Sequence, residues 1–151
     1  MACKSKILGY TVSVKSLTLL VDTREKRPLT FSLKTRRATL TTGDYTAYGY
    51  MDHIAVEYKS VVDFFGWINP NKPKRFDSQA ERLLKIPYAC VVVGGRITSR
   101  TKFSWIPQET VLARVALLTA AGLPIIFAGS RILAAKFTVE FIRHSIDKSR
   151  S

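Results

Sequence analysis

The sequence predicts an α/β fold with a mixed central β-sheet flanked by helices. The chain has 151 residues, of which 46% are hydrophobic, and this suits one domain with a buried core. Its first half contains β-prone runs and a hairpin pattern, and its second half alternates strand, helix, strand, helix. No repeat or Pro/Gly/Ser-rich linker divides it. We therefore expect a single domain over 1–151, with basic termini (1–8 and 147–151) as candidates for flexibility.

The first half supplies the predicted strands. Residues 17–22 form a β-prone run, and 31–33 are a candidate short strand. Two further strands, 44–48 and 53–59, flank four turn residues and are predicted to form a hairpin.

Two helices follow the hairpin. Ser60 is a candidate N-cap for a helix that contains Val61, Phe64, Phe65 and Ile68. The two prolines within 69–73 favour a basic loop, and 77–85 is predicted to be a second short helix.

The second half alternates regularly. A strand over 88–95 is apolar throughout, which is typical of the middle of a sheet covered on both faces. Pro107 suits a first helical position, and Gly122 suits the end of that helix before a strand at 124–128. Ser130 is expected to cap a last helix whose apolar stripe comprises Leu133, Phe137, Phe141 and Ile142.

The composition limits the classes of function. The net charge of +13 favours a polyanionic partner, with nucleic acid ahead of a membrane surface. No apolar run approaches the roughly 20 residues of a bilayer span, and the first residues do not resemble a secretory signal. The two cysteines have no close Cys or His neighbour that suggests zinc. We expect a reducing compartment, the cytoplasm or a host cytoplasm, with the nucleus as an open alternative.

Acids are scarce but concentrated near the predicted hairpin. If its loop has four residues, paired positions add up to 101, and Asp44 lies directly opposite Glu57. Opposed like charges destabilise a sheet unless a cation lies between them, and Mg²⁺ prefers carboxylate oxygens. Lys59 projects to the same face as Glu57 because it follows two residues later. This arrangement would suit metal-assisted phosphodiester chemistry.

A simpler interpretation stays open from these residues alone. Glu57 and Lys59 could form a surface ion pair. A register slip of one residue would also send Glu57 to the face opposite Asp44.

Three motifs carry a resemblance. The chain reads Val21-Asp22-Thr23-Arg24-Glu25, then Gly43-Asp44-Tyr45, then Glu57-Tyr58-Lys59-Ser60-Val61-Val62-Asp63. Their order and spacing resemble the V-D-x-R-E, G-D and E-R-K-x-x-x-D motifs of the XPF-type structure-specific endonuclease domain, including archaeal Hef relatives, in the PD-(D/E)XK superfamily. The likeness continues through 75–83 and 122–127. It implies a stand-alone, restriction-endonuclease-like nuclease fold.

The resemblance implies roles for the motif residues. Asp22, Asp44 and Glu57 are expected to be ligands of Mg²⁺ or Mn²⁺, and Lys59 to position water and phosphate. Arg24 and Glu25 would shape the floor of the catalytic site. For Asp63, orienting Lys59 and a plain first-turn helix position are equally open.

Tyr58 departs from the family pattern, which has Arg at this place. Its side chain should lie off the metal face, so we expect metal binding to survive, while any bracing that the Arg provides is in doubt. A helicase region and tandem helix-hairpin-helix modules are also absent from the sequence.

Basic groups are candidates for DNA binding. The expected contacts are with Arg36, Arg37, Lys72, Lys74, Arg75, Gln79 and Arg82; for Gln79 and Arg82 a solvated helix face is the alternative. Phosphate contacts of this kind would weaken with salt. The resemblance also implies a homodimer through the C-terminal helices, with Val115, Phe137 and Phe141 at its interface or, equally, in the core.

The resemblance implies a metal-dependent endonuclease that hydrolyses phosphodiester bonds at flaps, forks or four-way junctions in DNA repair or recombination. The main alternative is a catalytically weak nuclease-like domain that binds branched DNA or a partner protein. A third is a basic packaging protein, for which clustered carboxylates and metal would be irrelevant.

Overall fold

The computed structural model describes residues 17–150. Of the termini that were candidates for flexibility, 1–8 and Ser151 lie outside the described residues, and 147–150 are helical. The strands are β1 (Leu19–Asp22), β2 (Thr35–Ala38), β3 (Tyr45–Ala47), β4 (Ile54–Lys59), β5 (Tyr88–Val93) and β6 (Ile125–Phe127). The helices are α1 (Val61–Trp67), α2 (Pro73–Leu84), α3 (Gln108–Ala120) and α4 (Arg131–Arg150). The predicted α/β class is confirmed.

The six strands form one mixed sheet in the order β2-β1-β3-β4-β5-β6. The β1–β3 and β3–β4 pairs are antiparallel, and the remaining neighbours are parallel. Tyr45 pairs with Val56, so paired positions of the hairpin add up to 101 as predicted. Asp44 and Glu57 therefore occupy opposed positions at the end of this ladder, and the one-residue slip is excluded.

The two faces of the sheet carry separate cores. One core packs α1, α2 and α3 against Ala55, Val91 and neighbouring strand residues. The other packs α4 against residues such as Val56 and Val92. Since side chains alternate along β4, Glu57 and Lys59 share the face of Ala55 and meet α1 and α2. Tyr58 projects to the α4 face, as predicted.

The caps of two helices follow the prediction. The Ser60 hydroxyl accepts a hydrogen bond from the Asp63 backbone N–H at the start of α1. The Ser130 hydroxyl does the same for Leu133 at the start of α4. These caps satisfy backbone donors that have no partner within the helix.

Two predicted boundaries were wrong. The second strand lies at Thr35–Ala38, not at 31–33, because Phe31 and Leu33 pack irregularly against the α4-side core while the more polar segment pairs with β1. Helix α2 begins at Pro73, four residues before the predicted start. A proline at the first helical position loses no hydrogen bond, so it begins this helix instead of excluding it.

The apolar side chains of α3 and α4 are distributed differently from the prediction. Val115, Phe137 and Phe141 pack against the two cores as partly buried residues. Leu133, assigned to the buried stripe of α4, is instead exposed. The large apolar residues that α3 and α4 expose are Leu112, Leu117, Ile132 and Leu133. Within residues 17–150, no helix is long and apolar enough to cross a membrane.

Candidate active site

Three neighbouring strands bring the motif acids together. Asp22 ends β1, Asp44 directly precedes β3, and Glu57 lies on β4. The Asp22 N–H donates to the carbonyl oxygen of Asp44, and the Asp44 N–H donates to that of Val56, each at 2.8 Å. The ladder thus sets the positions of the acids through the backbone.

Gly43 permits this close approach. Its φ is +81°, and a Cβ there would lie 3.1 Å from the Ala55 Cβ and 3.2 Å from the Val56 carbonyl oxygen. A side chain at this position would push Asp44 away from β4. The close approach of β4 therefore explains why the Gly-Asp motif has a glycine at this position.

Asp44 and Glu57 share a poorly solvated environment. Glu57 is 8% exposed, and the Tyr58 backbone N–H donates to Asp44 Oδ2 at 2.8 Å. Burial, and then the charge of Glu57, raise the pKa of Asp44 to about 8. Burial also raises the pKa of Glu57, against the opposing effects of Lys59 and Gln79. Burial therefore opposes the ionisation of both carboxylates.

Three side chains, from Gln79, Glu57 and Trp67, surround the Lys59 ammonium. Its Nζ donates to Gln79 Oε1 at 2.9 Å, lies 3.5 Å from Glu57 Oε1, and sits 4.9 Å from the centre of the Trp67 ring. The Gln79 amide in turn donates to Glu57 Oε1 at 2.8 Å. Gln79 thus bridges the acid and the amine from α2. The alternative prediction, that the Gln79 side chain lies on a solvated helix face, is therefore excluded.

Asp22 is engaged in the structure of the turn that follows β1. Arg24 Nε donates to Asp22 Oδ2 at 2.9 Å, and Arg24 Nη2 and the Leu40 backbone N–H reach Oδ1 at 3.3 and 3.0 Å. Arg24 also donates to the Leu40 carbonyl oxygen. Asp22 and Arg24 together fix the chain segment around Leu40 beside β1.

Asp44 and Glu57 border two cavities. The first, of about 430 Å³, is also lined by Glu25, Lys59 and Asp63. The second, of about 380 Å³, is lined instead by Asp22, Arg24, Gln79 and Arg82. Glu25 therefore shares a cavity with Lys59, whereas Asp22 borders the other one.

The expected ligand trio of Asp22, Asp44 and Glu57 is not assembled as a metal cluster. Across residues 17–150, no three His, Cys, Asp or Glu side chains are grouped so that they could hold a metal ion. In this structure Arg24 and the Leu40 backbone N–H donate hydrogen bonds to the Asp22 carboxylate.

Asp44 and Glu57 themselves fit a hard divalent cation. Both offer carboxylate oxygens, and burial, the main cause of their raised pKa values, is a cost of ionisation that such an ion would offset. Mg²⁺ commonly takes only one or two carboxylates and fills its remaining positions with water and substrate phosphate. Glu25 and Asp63 are further acids that line the same cavity as this pair and Lys59.

Asp63 lines the first cavity but does not hold Lys59. It is exposed in the first turn of α1, and within the described part of the chain no hydrogen bond or ion pair joins its carboxylate to the Lys59 ammonium. The first-turn interpretation fits this placement better.

The predicted DNA-binding residues are dispersed. Lys72 and Arg75 line the first cavity, and Arg82 lines the second. Lys74 is exposed on α2 outside both cavities.

Arg36 and Arg37 lie on the edge strand β2. Arg36 stacks over Tyr48, with its guanidinium carbon 5.5 Å from the ring centre. Arg37 Nη2 donates to the Glu25 carbonyl oxygen at 2.9 Å, so it supports the turn that carries Glu25.

Tyr58 is braced by an arginine from another element. The Arg131 guanidinium lies 5.3 Å from the Tyr58 ring centre, and its Nη1 is 3.4 Å from the phenol oxygen. Arg131 Nη2 also donates to the carbonyl oxygens of Arg27 and Pro28, just beyond Glu25. A cation from α4 thereby connects β4 to the segment after Glu25.

The first cavity also contains residues outside the predicted site. Trp67, Asn69, Lys102 and Phe103 also line it. No sequence pattern distinguished Phe103, because the loop between β5 and α3 has no periodicity. Only the fold brings that loop to α1.

Comparisons with known proteins identify the family and the fold. Residues 21–141 match the family described as the ERCC4 domain, a family of structure-specific DNA nucleases. The fold matches that of XPF from Aeropyrum pernix with a TM-score of 0.70 and 22% identity, over 88% of this chain and 68% of that one. XPF from Aeropyrum pernix in complex with DNA matches with a TM-score of 0.71 and 22% identity, over 87% and 66% of the two chains. A search of curated proteins found no match.

Proposed function

Because this chain belongs to the ERCC4 domain family, we propose that it is a divalent-metal-dependent endonuclease. Its substrate is branched DNA, such as a flap, a fork or a four-way junction, in repair or recombination. The observation that carries this proposal is the opposed pair Asp44 and Glu57, with the Lys59 ammonium 3.5 Å from Glu57 Oε1 in one cavity.

Asp44 and Glu57 would hold Mg²⁺ or Mn²⁺, with water and substrate phosphate in the remaining positions. When bound, the ion supplies charge neutralisation for the phosphoryl group and lowers the pKa of a coordinated water. Asp22 accepts hydrogen bonds from Arg24 and Leu40, and its role as a further ligand stays a prediction.

Lys59 acts at the phosphate through its position. Gln79 and Trp67 hold the ammonium beside the carboxylates, where it would orient the attacking water or stabilise negative charge on the phosphoryl oxygens. Because Gln79 uses one end for Lys59 and the other for Glu57, it keeps both groups aligned at once.

DNA would approach through the basic rim of the two cavities. Lys72 and Arg75 at the first cavity and Arg82 at the second supply cations near the acids. The fold is similar to that of an Aeropyrum pernix protein solved in complex with DNA, which supports DNA binding in general. The +13 net charge should strengthen binding at low salt.

The homodimer through the C-terminal helices stays a proposal. The exposed side chains Leu112, Leu117, Ile132 and Leu133 are better candidates for its interface than Val115, Phe137 and Phe141. Light scattering on the purified chain would measure the mass of the assembly. The cytoplasmic location also stays a prediction.

The test is cleavage of end-labelled flap, fork and four-way junction substrates, with Mg²⁺, with Mn²⁺ and with EDTA. We expect the wild type to cut at least one branched substrate only when metal is present. Asp44→Asn should reduce cutting by at least about 100-fold, because it removes a charged ligand from the pair. Asp52→Asn, an exposed acid in the hairpin loop, is the matched control and should cut normally.

Equal cutting by wild type and Asp44→Asn would refute the site. If neither protein cuts but both bind branched DNA, the chain is a binding domain, which is the alternative function.

A further inference from the structure

The first cavity extends beyond the carboxylates to a wall built from different elements. Lys72 and Arg75 come from the start of α2, and Lys102 and Phe103 come from the loop between β5 and α3. None of these four residues touches the acids or Lys59 through a hydrogen bond or ion pair within residues 17–150. The wall is therefore available to a ligand that also reaches the catalytic groups.

Phe103 is fixed in place before any ligand binds. Its backbone N–H donates to Thr101 Oγ1 at 3.0 Å, and the Ser104 hydroxyl accepts from the Thr101 N–H at 2.9 Å. Its ring rests over Gly66 of α1, where an added Cβ would come within 3.3 Å of two ring carbons. Glycine at 66 thus leaves the space that the ring occupies.

Cations and an aromatic ring are combined at this wall. The Lys102 ammonium lies 5.2 Å from the centre of the Phe103 ring, and Lys72 and Arg75 are exposed at the same cavity. Positive side chains beside an aromatic platform are the elements with which proteins hold single-stranded nucleic acid, one for the phosphate and the other for the base.

The volume of the cavity suits one nucleotide. About 430 Å³ lies within the range of small-ligand sites, about 300–1,000 Å³. A single nucleotide fits such a volume, whereas a base-paired duplex does not. A nucleotide that enters must therefore be unpaired or leave its stack.

We propose that Lys72, Arg75, Lys102 and Phe103 form a subsite for one unpaired nucleotide next to the scissile phosphodiester bond. The cations hold its phosphate and Phe103 stacks on its base. This inference rests on the proposed function, and it gives a physical reason for preferring branched DNA, because a branch supplies unpaired nucleotides without the cost of unstacking a duplex.

The test measures the affinity for a dye-labelled ten-nucleotide oligothymidylate and for a blunt duplex by fluorescence anisotropy in EDTA, where no cleavage occurs. Phe103→Leu keeps an apolar side chain on Gly66 but removes the aromatic face, and Lys102→Gln removes one exposed charge. Trp105→Leu and Arg100→Gln are matched controls, since both lie in the same loop, are exposed and do not line the cavity. Thermal denaturation verifies that each variant is folded.

We expect Phe103→Leu to weaken single-strand binding by about 5- to 150-fold, the range for loss of one stacked base, and to leave duplex binding unchanged. Lys102→Gln should reduce the slope of log K against log salt by about 0.7 for the single strand. The controls should behave as the wild type does.

The inference is overturned if Phe103→Leu and Lys102→Gln bind the single strand as their controls do, or if Phe103→Leu loses duplex affinity to the same extent. Should no protein cut branched DNA while these differences in single-strand affinity appear, the nuclease function fails and the nucleotide subsite stands.

Discussion

At the residue scale, Asp44 and Glu57 place two negative charges where water screens them poorly. The raised pKa values of both groups express this cost. The only cation in hydrogen-bonding or ion-pair distance of Glu57 within residues 17–150 is Lys59. A divalent ion between the carboxylates would relieve the repulsion. In the metal-free protein the repulsion should therefore affect the free energy of unfolding.

Asp44 should make the metal-free protein less stable as the pH rises. Its ordinary pKa is 3.8, and in the folded protein it is about 8. Between these values the folded protein keeps a proton that the unfolded chain has lost, so the free energy of unfolding falls with rising pH, and above about pH 8 this dependence ends. The melting temperature of Asp44→Asn in EDTA, measured relative to wild type, should therefore increase from about pH 5 to about pH 8, by about 2–4 °C per kcal/mol. Parallel melting temperatures across this range would contradict the assigned environment.

Gln79 should act as a positioning residue. Gln79→Leu removes the hydrogen bonds to Glu57 Oε1 and Lys59 Nζ, and we expect kcat on a cleaved substrate to fall about 10- to 100-fold, as for other partners that orient ligands. KM should change little, because the phosphate-binding cations are untouched. Gln108→Leu, at the exposed start of α3, is the control. A rise in KM at unchanged kcat would indicate that Gln79 contacts DNA directly.

Asp22 and Glu25 should differ in how much each contributes to the free energy of unfolding. Asp22→Ala leaves the N–H of buried Leu40 without its acceptor, and we expect a loss of about 1–3 kcal/mol in the free energy of unfolding. Glu25→Ala removes only the acceptor of the exposed Arg27 N–H and should cost less than about 1 kcal/mol. Urea denaturation of both variants without metal measures the difference. An equal or larger loss for Glu25→Ala would contradict the structural role of Asp22.

The sequence was sufficient to predict Asp44, Glu57 and Lys59, because hairpin register and alternation place them on one face. It was insufficient for the contacts that Asp22 and Glu25 make. Both belong to the same motif, and their roles depend on where Arg24 and Leu40 lie in three dimensions.

At the scale of elements, the site depends on β4 being packed on both sides. Its alternate residues meet α1 and α2 on one face and α4 on the other. Tyr58 links this strand to α4 through Arg131, and Arg131 also holds the carbonyl oxygens of Arg27 and Pro28. The bracing that was in doubt at Tyr58 is thus provided by a residue 73 positions later in the sequence.

Gly94 and Tyr58 should be energetically coupled. A Cβ at Gly94 would lie 2.2 Å from the Tyr58 phenol oxygen and 3.0 Å from the ring carbon that bears it. Gly94→Ala should therefore destabilise the protein by about 1–3 kcal/mol through overcrowding. In the Tyr58→Ala background the same substitution should cost much less. A double-mutant cycle by chemical denaturation measures the coupling, and additive losses would show that the two residues do not meet.

Element boundaries were predictable where a cap or a turn marks them. Ser60, Ser130 and Gly122 identified helix ends correctly, since each satisfies a local backbone requirement. The edge strand β2 was not predictable, because Thr35-Arg36-Arg37-Ala38 is mostly polar and becomes a strand only by pairing with β1.

At the scale of the whole molecule, a strongly basic chain contains a cavity lined by several acids. The chain carries 24 Lys and Arg against 11 Asp and Glu, yet four of those acids line a single cavity. Basic residues at the rim of this cavity would attract DNA. Asp44 and Glu57 inside it would hold the divalent ion that neutralises charge on the DNA phosphate. The resemblance of the motifs implied this fold and activity, but the position of the loop that carries Phe103 depends on packing against α1.

The central claim is that Asp44 and Glu57 share one divalent ion beside Lys59. The most direct measurement is the anomalous scattering of Mn²⁺ in crystals of the wild type and of Asp44→Asn. The account predicts a peak within coordination distance of carboxylate oxygens of both residues in the wild type, and its loss in the variant. A wild-type crystal with Mn²⁺ bound elsewhere, and with these two carboxylates pointing apart, would contradict it.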